Sequence, residues 1–291
     1  MSAALDQLVR TLDLERLEVD LFRGESPSSP LQRVFGGQVA AQALTAAVRT
    51  VDAGRRPHSL HGYFLVGGDP SVPIVYEVDR VRDGRSFSTR RVSAVQHGQT
   101  IFYLSTSFHI DEEGIDHQLA MPDVPGPEEV PTTAEWLTEI GEVPGVDPAS
   151  VAWWGYDHPV ELRYVGTPPV ILAARAEVPP EPRSQVWMRA RGRLPDDPAL
   201  HMCVLTWASD MSLLDSVRLP HGWPRGTYGR GRTASLDHAV WFHRAFRADE
   251  WFLYDQASAS AHGARGIAQG RIFTLDGRLV TSVVQEGLVR S

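Results

Sequence analysis

Between residues 199 and 214 the chain sets apolar side chains on every side of a helix: Leu200, Met202, Val204, Leu205, Trp207, Met211 and Leu214. A helix that is apolar all round must be buried all round. Asp197 at the cap and Pro198 at the first position mark its start. Such a helix needs a jacket, and the sequence after it supplies one. Strand-like runs fall at 235–245, 251–258, 266–274 and 279–289, with Asp276-Gly277 at a hairpin position. The economical arrangement is a curved antiparallel sheet wrapped around one central helix.

The first part of the chain repeats the pattern. A small-and-apolar segment at 34–44 is followed by strand-like runs at 59–66, 74–82, 86–96 and 99–109, with His97-Gly98 at the corresponding turn. Local echoes join the halves: Ser59-Leu60-His61 answers Ser235-Leu236-Asp237-His238, and Arg85 with Arg91 answers Arg265 with Arg271. The expected fold is therefore α+β, a double hotdog of two repeats, each with an antiparallel sheet around a central helix. The expected organisation is an N-terminal repeat over 1–110, a linker over 111–150 and a C-terminal repeat over 151–291 that carries the catalytic residues. The linker is marked by Pro122, Pro125, Pro127, Pro131, Pro144 and Pro148, a density that neither a helix nor a central strand accepts. At most one helical turn is expected in it, around 134–140.

Charge separates the same regions. The chain carries a net charge of −8, yet residues 111–150 hold eleven Asp and Glu and no Arg, so the remainder is mildly basic. A mildly basic body suits a small anionic ligand and falls short of a nucleic-acid footprint. All 28 basic residues are Arg; the lack of Lys excludes Schiff-base and P-loop chemistry. The single Cys203 allows no internal disulfide and no cysteine-based zinc site. No apolar run approaches a membrane span, and the first residues mix charge with apolar side chains. A cytoplasmic location is expected.

Several kinds of chemistry drop out. Gly84-Arg85-Ser86-Phe87-Ser88 fails the nucleophile elbow at its last position. The glycine-rich run at 229–234 precedes a strand, the wrong context for a dinucleotide fingerprint. The histidines His58 and His61, like His238 and His243, are odd-spaced on strands and make poor metal pairs. No metal and no cofactor is expected. Three polar residues in apolar settings remain. Asp210 sits late in the buried helix, Gln285 closes the apolar strand 279–284, and Ser235 opens a strand. Each also has an ordinary reading: a carboxylate capping the next loop, an amide at a wet edge, and a serine of no consequence.

The segments at 33–44, 58–65, 82–92 and 101–103 resemble the N-terminal half of the acyl-CoA thioesterase II family. Ala208-Ser209-Asp210, the run 236–244, Glu250-Trp251 and Val284-Gln285-Glu286-Gly287 resemble its C-terminal half. The resemblance covers about 5–290, apart from the acidic segment. It implies a double hotdog and hydrolysis of acyl-CoA to free acid and CoA. It also implies an Asp–Ser/Thr–Gln constellation, which falls here on Asp210, Ser235 and Gln285. A water held by these three would attack the thioester directly, with Asp210 taking its proton. Gly36, Gly37 and Gln38, at the start of the first helix, are the expected substrate-binding residues, with backbone N–H groups as oxyanion donors. The expected partner is the acyl-CoA substrate, with no nucleic acid, and tandem hotdogs associate often enough that a homo-oligomer is expected. Two other readings stay open: a non-catalytic acyl-CoA binder on the same fold, and an acyl-thioester hydratase using Asp237 and His238. Adjacent strand residues face opposite ways, which weighs against that last pair.

Overall fold

The computed structural model describes residues 2–27, 33–142, 155–175, 177–178, 181–221 and 232–290. Residues 143–150 of the acidic segment, with Pro144 and Pro148, lie outside these, as do Gly229, Arg230 and Gly231 of the glycine-rich run. The two long central helices are α2 (Gly36–Val48) and α5 (Pro198–Ser209). Around them lie α1 (Ala3–Leu12), α3 (Thr133–Glu142), α4 (Pro169–Arg175) and the short α6 (Asp215–Arg218).

Thirteen strands among the described residues form one continuous sheet. The first half contributes β1 (Glu15–Glu18), β2 (Leu21–Gly24), β3 (Arg56–Phe64), β4 (Ile74–Asp83), β5 (Phe87–Gln96) and β6 (Gln99–His109). The second contributes β7 (Val160–Tyr164), β8 (Arg183–Ala190), β9 (Arg232–Ser235), β10 (Asp237–Phe242), β11 (Phe252–His262), β12 (Arg265–Thr274) and β13 (Leu279–Arg290). The order is β1-β2-β4-β5-β6-β3-β10-β13-β12-β11-β8-β7, with β9 pairing β13 beside that path. The order reads alike outward from its centre, where β3 and β10 run antiparallel with Ser59 opposite Trp241 and Tyr63 opposite Asp237. This is the double hotdog the sequence predicts.

The helices are buried on every side because they are sheathed by this sheet and by each other. In α2 every residue from Gly37 to Leu44 is buried, and in α5 every residue from His201 to Thr206. Five alanines of α2 have no accessible surface, so bulk is removed where the helices meet. The helix expected over 199–214 is shorter: it runs Pro198–Ser209, opened by Asp197 Oδ1 accepting from the Ala199 N–H at 2.9 Å. Ser209 turns its hydroxyl onto the Thr206 carbonyl, and the Met211 N–H tightens onto the Ala208 carbonyl, which stops the helix at Asp210. Asp210 is thus its C-cap.

The strand expected over 235–245 is broken at Leu236. Ser235 pairs Gly287 whereas Ala239 pairs Val284, so the register slips by one residue between β9 and β10. A bulge of this kind re-aims the side chains beside it. The echo between Ser59 and Ser235 does not survive in space: Ser59 lies in mid-strand opposite Trp241 and Ser107, while Ser235 ends β9 at the bulge. The Arg echo keeps its register at its second member: Arg91 lies opposite Asp79 and Ser105, and Arg271 opposite Asp255 and Ser282, although Arg265 opens β12 while Arg85 precedes β5. The hairpin turns stand where expected, with His97 and Gly98 both at positive φ, as a tight two-residue turn requires.

The acidic segment is a strap on the outer face of the second half. It carries Pro127–Glu129 as a 3₁₀ turn and α3 as ten helical residues, more than the single turn expected. Met121, Val124 and Val130 cover Trp187, Trp251, Leu253 and Phe273. The Trp187 indole N–H donates to the Pro125 carbonyl at 2.9 Å, and Arg163 reaches the Pro127 carbonyl and Glu128, both at 2.7 Å. Asp116 takes Arg244. This is why β11 opens with five buried residues in a row: the main core covers one face and the strap the other. Trp187→Ala is expected to cost about 3–5 kcal/mol in chemical denaturation, the usual penalty for truncating a buried Trp. Limited proteolysis should then cut within 111–131 before the rest of the chain.

Candidate active site

The C-terminal end of α5 meets the N-terminal start of α2. Helix α2 opens without a side-chain cap of its own, since Phe35 holds the N-cap position. Its exposed donor is satisfied from the other helix: the Gly37 N–H donates to Asp210 Oδ2 at 2.8 Å. Asp210 therefore caps α2 across the helix pair. Close approach of this kind needs glycine, because a Cβ on Gly36 would lie 2.8 Å from Asp210 Oδ2 and 3.0 Å from the Phe64 ring. A Cβ on Gly37 would lie 2.5 Å from the Trp207 carbonyl.

The second carboxylate oxygen, Oδ1, accepts from Gln285 Nε2 at 2.6 Å. Gln285 stands on the core face of β13, in step with Thr281 and Val283, and has no accessible surface. The wet-edge reading of this amide fails on its burial. Its Oε1 is also buried and has no hydrogen-bond partner. The Ser235 hydroxyl, at the bulge beside Leu236, faces the same carboxylate and helps to lower its pKa. The structure thus brings Asp210, Ser235 and Gln285 together from a helix end and two strands.

Burial dominates the titration of Asp210 and raises its pKa from 3.8 to about 6, against the three donors, which lower it. The residue itself stays partly open to solvent. Around it the turn 209–212 is pinned from the sheet. Tyr254 donates its hydroxyl to the Ser209 carbonyl at 3.0 Å, Gln256 Nε2 to the Ser212 hydroxyl at 2.7 Å, and His238 Nε2 meets the Ser209 hydroxyl at 2.8 Å. Since the Ser209 hydroxyl donates to Thr206, His238 Nε2 carries the hydrogen of that contact. Burial lowers the His238 pKa to about 4. Tyr254 and Gln256 are not among the expected residues, and His238 is expected only as half of the hydratase pair. His238 and Gln256 could have been found as polar residues in step with the apolar face of their strands. Asp237 points the other way and accepts from the Glu286 N–H at 2.6 Å, so Asp237 and His238 do not converge.

The residues expected to bind substrate divide. Gly36 and Gly37 lie at the carboxylate, and the Gly37 N–H is engaged by Asp210, so it is not free as an oxyanion donor in this arrangement. Gln38 turns away, donating to the Ser26 hydroxyl at 3.0 Å and the Glu25 carbonyl at 3.4 Å. No group of three or more His, Cys, Asp or Glu among the described residues could hold a metal ion. Cys203 is buried within α5, and burial raises its thiol pKa to about 12.

Two buried helices inside one antiparallel sheet, with a carboxylate of raised pKa where they meet, define a double-hotdog protein. Residues 25–109 match the family model described as acyl-CoA thioesterase N-terminal domain, and 177–288 that described as acyl-CoA thioesterase. Acyl-CoA thioesterase 2 of Haemophilus influenzae is 37% identical, over 100% of this chain and 99% of its own. Acyl-coenzyme A thioesterase 8 of Homo sapiens is 39% identical, over 96% and 87%. Among solved structures, acyl-CoA thioesterase II TesB2 from Mycobacterium marinum is 45% identical with a TM-score of 0.78, over 97% and 98%. The chain belongs to the acyl-CoA thioesterase family, whose enzymes are thioester hydrolases. No helix among the described residues is long and apolar enough to cross a membrane.

The raised pKa has a consequence for stability. A carboxyl whose folded pKa lies above its unfolded value stabilises the fold fully below the unfolded pKa, and loses that contribution as pH rises through the folded one. Asn caps a helix about as well as Asp. Asp210→Asn is therefore expected to match the parent protein below about pH 4 and to exceed its stability above about pH 6. Urea denaturation at pH 4 and pH 7.5 checks this. Asp210→Ala, which loses the cap, should be the less stable of the two variants.

Proposed function

We propose that the protein hydrolyses acyl-CoA thioesters by direct attack of a water held among Asp210, Ser235 and Gln285, without a covalent acyl-enzyme. One observation carries the reading: a carboxylate with a pKa of about 6 is gripped by Gln285 Nε2, while the buried Oε1 of the same amide has no protein partner. The amide can hold the base with one end and accept a water O–H with the other. The Ser235 hydroxyl fixes the water from the strand side. Such positioning is a large part of what a hydrolase supplies.

The steps balance without any further group. The water oxygen bonds to the thioester carbon while its proton passes to Asp210. The tetrahedral intermediate collapses, the C–S bond breaks, and the proton moves from Asp210 to the departing sulfur. Free acid and CoA thiol result. A pKa near 6 suits both halves of this cycle, because the group is mostly ionised at neutral pH yet still holds a proton between the steps. Backbone donors near the α2 N-terminus remain our choice for the oxyanion, with Gly37 excepted while it is bonded to Asp210. The same reading places the catalytic residues in the 151–291 repeat, with 1–110 as wall and scaffold, and places the enzyme in the cytoplasm, where a lone buried cysteine stays reduced.

Thiol release from acyl-CoA, followed with a thiol reagent, tests this. Asp210→Asn is expected to lose about 10²–10⁴-fold in kcat, whereas Asp52→Asn, exposed in a turn beyond α2, stays near the parent value. Retention of more than roughly a third of kcat in Asp210→Asn would remove Asp210 from the chemistry. The pH profile gives an independent reading. The kcat/KM of the parent enzyme should rise with pH through a midpoint of about 6, and Gln285→Ala should move that midpoint upward, because a donor that lowers the pKa is gone. A pre-steady-state burst with an acylated serine would overturn direct attack by water.

A further inference from the structure

We infer that the groove between the end of α5 and the N-terminal helix α1 takes the acyl chain of the substrate, and that α1 sets the chain length. The inference rests on the hydrolytic reading of Asp210. Trp207, one turn before Asp210 on the same helix face, and Met211, directly after it, both line this groove. From the other helix, Phe35 and Gln38 line it on either side of Gly37, the residue bonded to the carboxylate. The groove is thus lined by neighbours of the acid on both helices, while Asp210, Ser235 and Gln285 themselves do not line it. Phe35 and Trp207 meet edge to face at 5.1 Å between ring centroids and form its inner wall.

Its outer wall is α1. Ala4, Leu8 and Thr11 stand at i, i+4 and i+7, one stripe of the helix, and all three face the groove. At ten residues α1 runs about 15 Å, a length along which a polymethylene chain can lie. The lining is mostly aromatic, aliphatic and proline, a match for hydrocarbon, with Arg33, Asp157 and His158 as its charged or titratable members. Its polar groups, such as Gln7 and Gln38, stand on the walls; Gln38 is already bonded to Ser26. Burial of one methylene in such a groove is worth about a fourfold gain in affinity, so enzyme preference should climb with chain length until α1 limits it.

The test is a kcat/KM series over acetyl-, butyryl-, octanoyl- and palmitoyl-CoA. The enzymes compared are the parent protein, Ala4→Trp, and Gln7→Trp, which fills the groove from an exposed position and keeps the test alive if Ala4→Trp fails to fold. The filled variants should lower the palmitoyl-to-butyryl ratio of kcat/KM at least tenfold, with thermal unfolding close to the parent. An unchanged ratio would place the acyl chain elsewhere and overturn the inference. An equal fall for all four substrates would also overturn it, and would assign the groove to the pantetheine arm of CoA. Failure of the underlying reading looks different: no thiol release by the parent enzyme from any of the four, or Asp210→Asn as active as the parent.

Discussion

A single hydrogen bond spans 173 residues and joins the two halves where their central helices meet: the Gly37 N–H on the Asp210 carboxylate. It solves two problems at once. A buried helix start needs an acceptor for its first donors, and a buried carboxylate needs donors. Each half lacks what the other supplies, because Phe35 gives α2 no cap and Asp210 ends a helix of apolar neighbours. The positive end of the α2 dipole faces the acid as well, which favours the ionised form against the burial that opposes it. Burial prevails, and the donors hold the rise to a pKa of about 6.

That bond is possible only because the two helices come close. Small residues along α2 allow the contact, and two glycines at its start leave room where a Cβ would strike a carboxylate oxygen or a backbone carbonyl. The sheet completes the arrangement. Pins from Tyr254, Gln256 and His238 hold the turn at 209–212, and the bulge at Leu236 turns Ser235 into the site. A site built on rigid elements in this way has little freedom to relax when one member is changed.

Much of this was legible in the residues. An all-round apolar helix demanded a sheath, and strands β3 to β6 and β10 to β13 followed from alternation and turn chemistry. Other elements carried no such mark. Strand β8 is covered on both faces, by the core and by the strap, so it does not alternate; β1 is exposed along its whole length. Helix α1 did carry a period in Leu5, Leu8 and Leu12, obscured by charge between them. For the site, Asp210 and Gln285 stood out as polar residues among apolar ones. Ser235 stood out only weakly, as a serine opening a strand, and its role came from the resemblance, since its orientation comes from a one-residue slip that no local pattern reveals. The capping of one helix by a residue of the other was equally invisible, because it is a contact between segments far apart in the chain.

The seam between β3 and β10 bears on how the chain reaches this state. Strands 57 to 64 and 237 to 242 pair with each other in the middle of the sheet, not at its margin, so neither half presents a finished edge there until both exist. Closing so long a loop is entropically costly and must precede the reward of the contact. The hairpins β5–β6 and β12–β13 form from neighbours in sequence and have no such delay. The central seam is therefore the slow, late event, and a nascent first half emerges with β3 still unpaired on one side. Until the second half arrives, that exposed row of backbone donors and acceptors is the part of the molecule most open to pairing with the wrong chain.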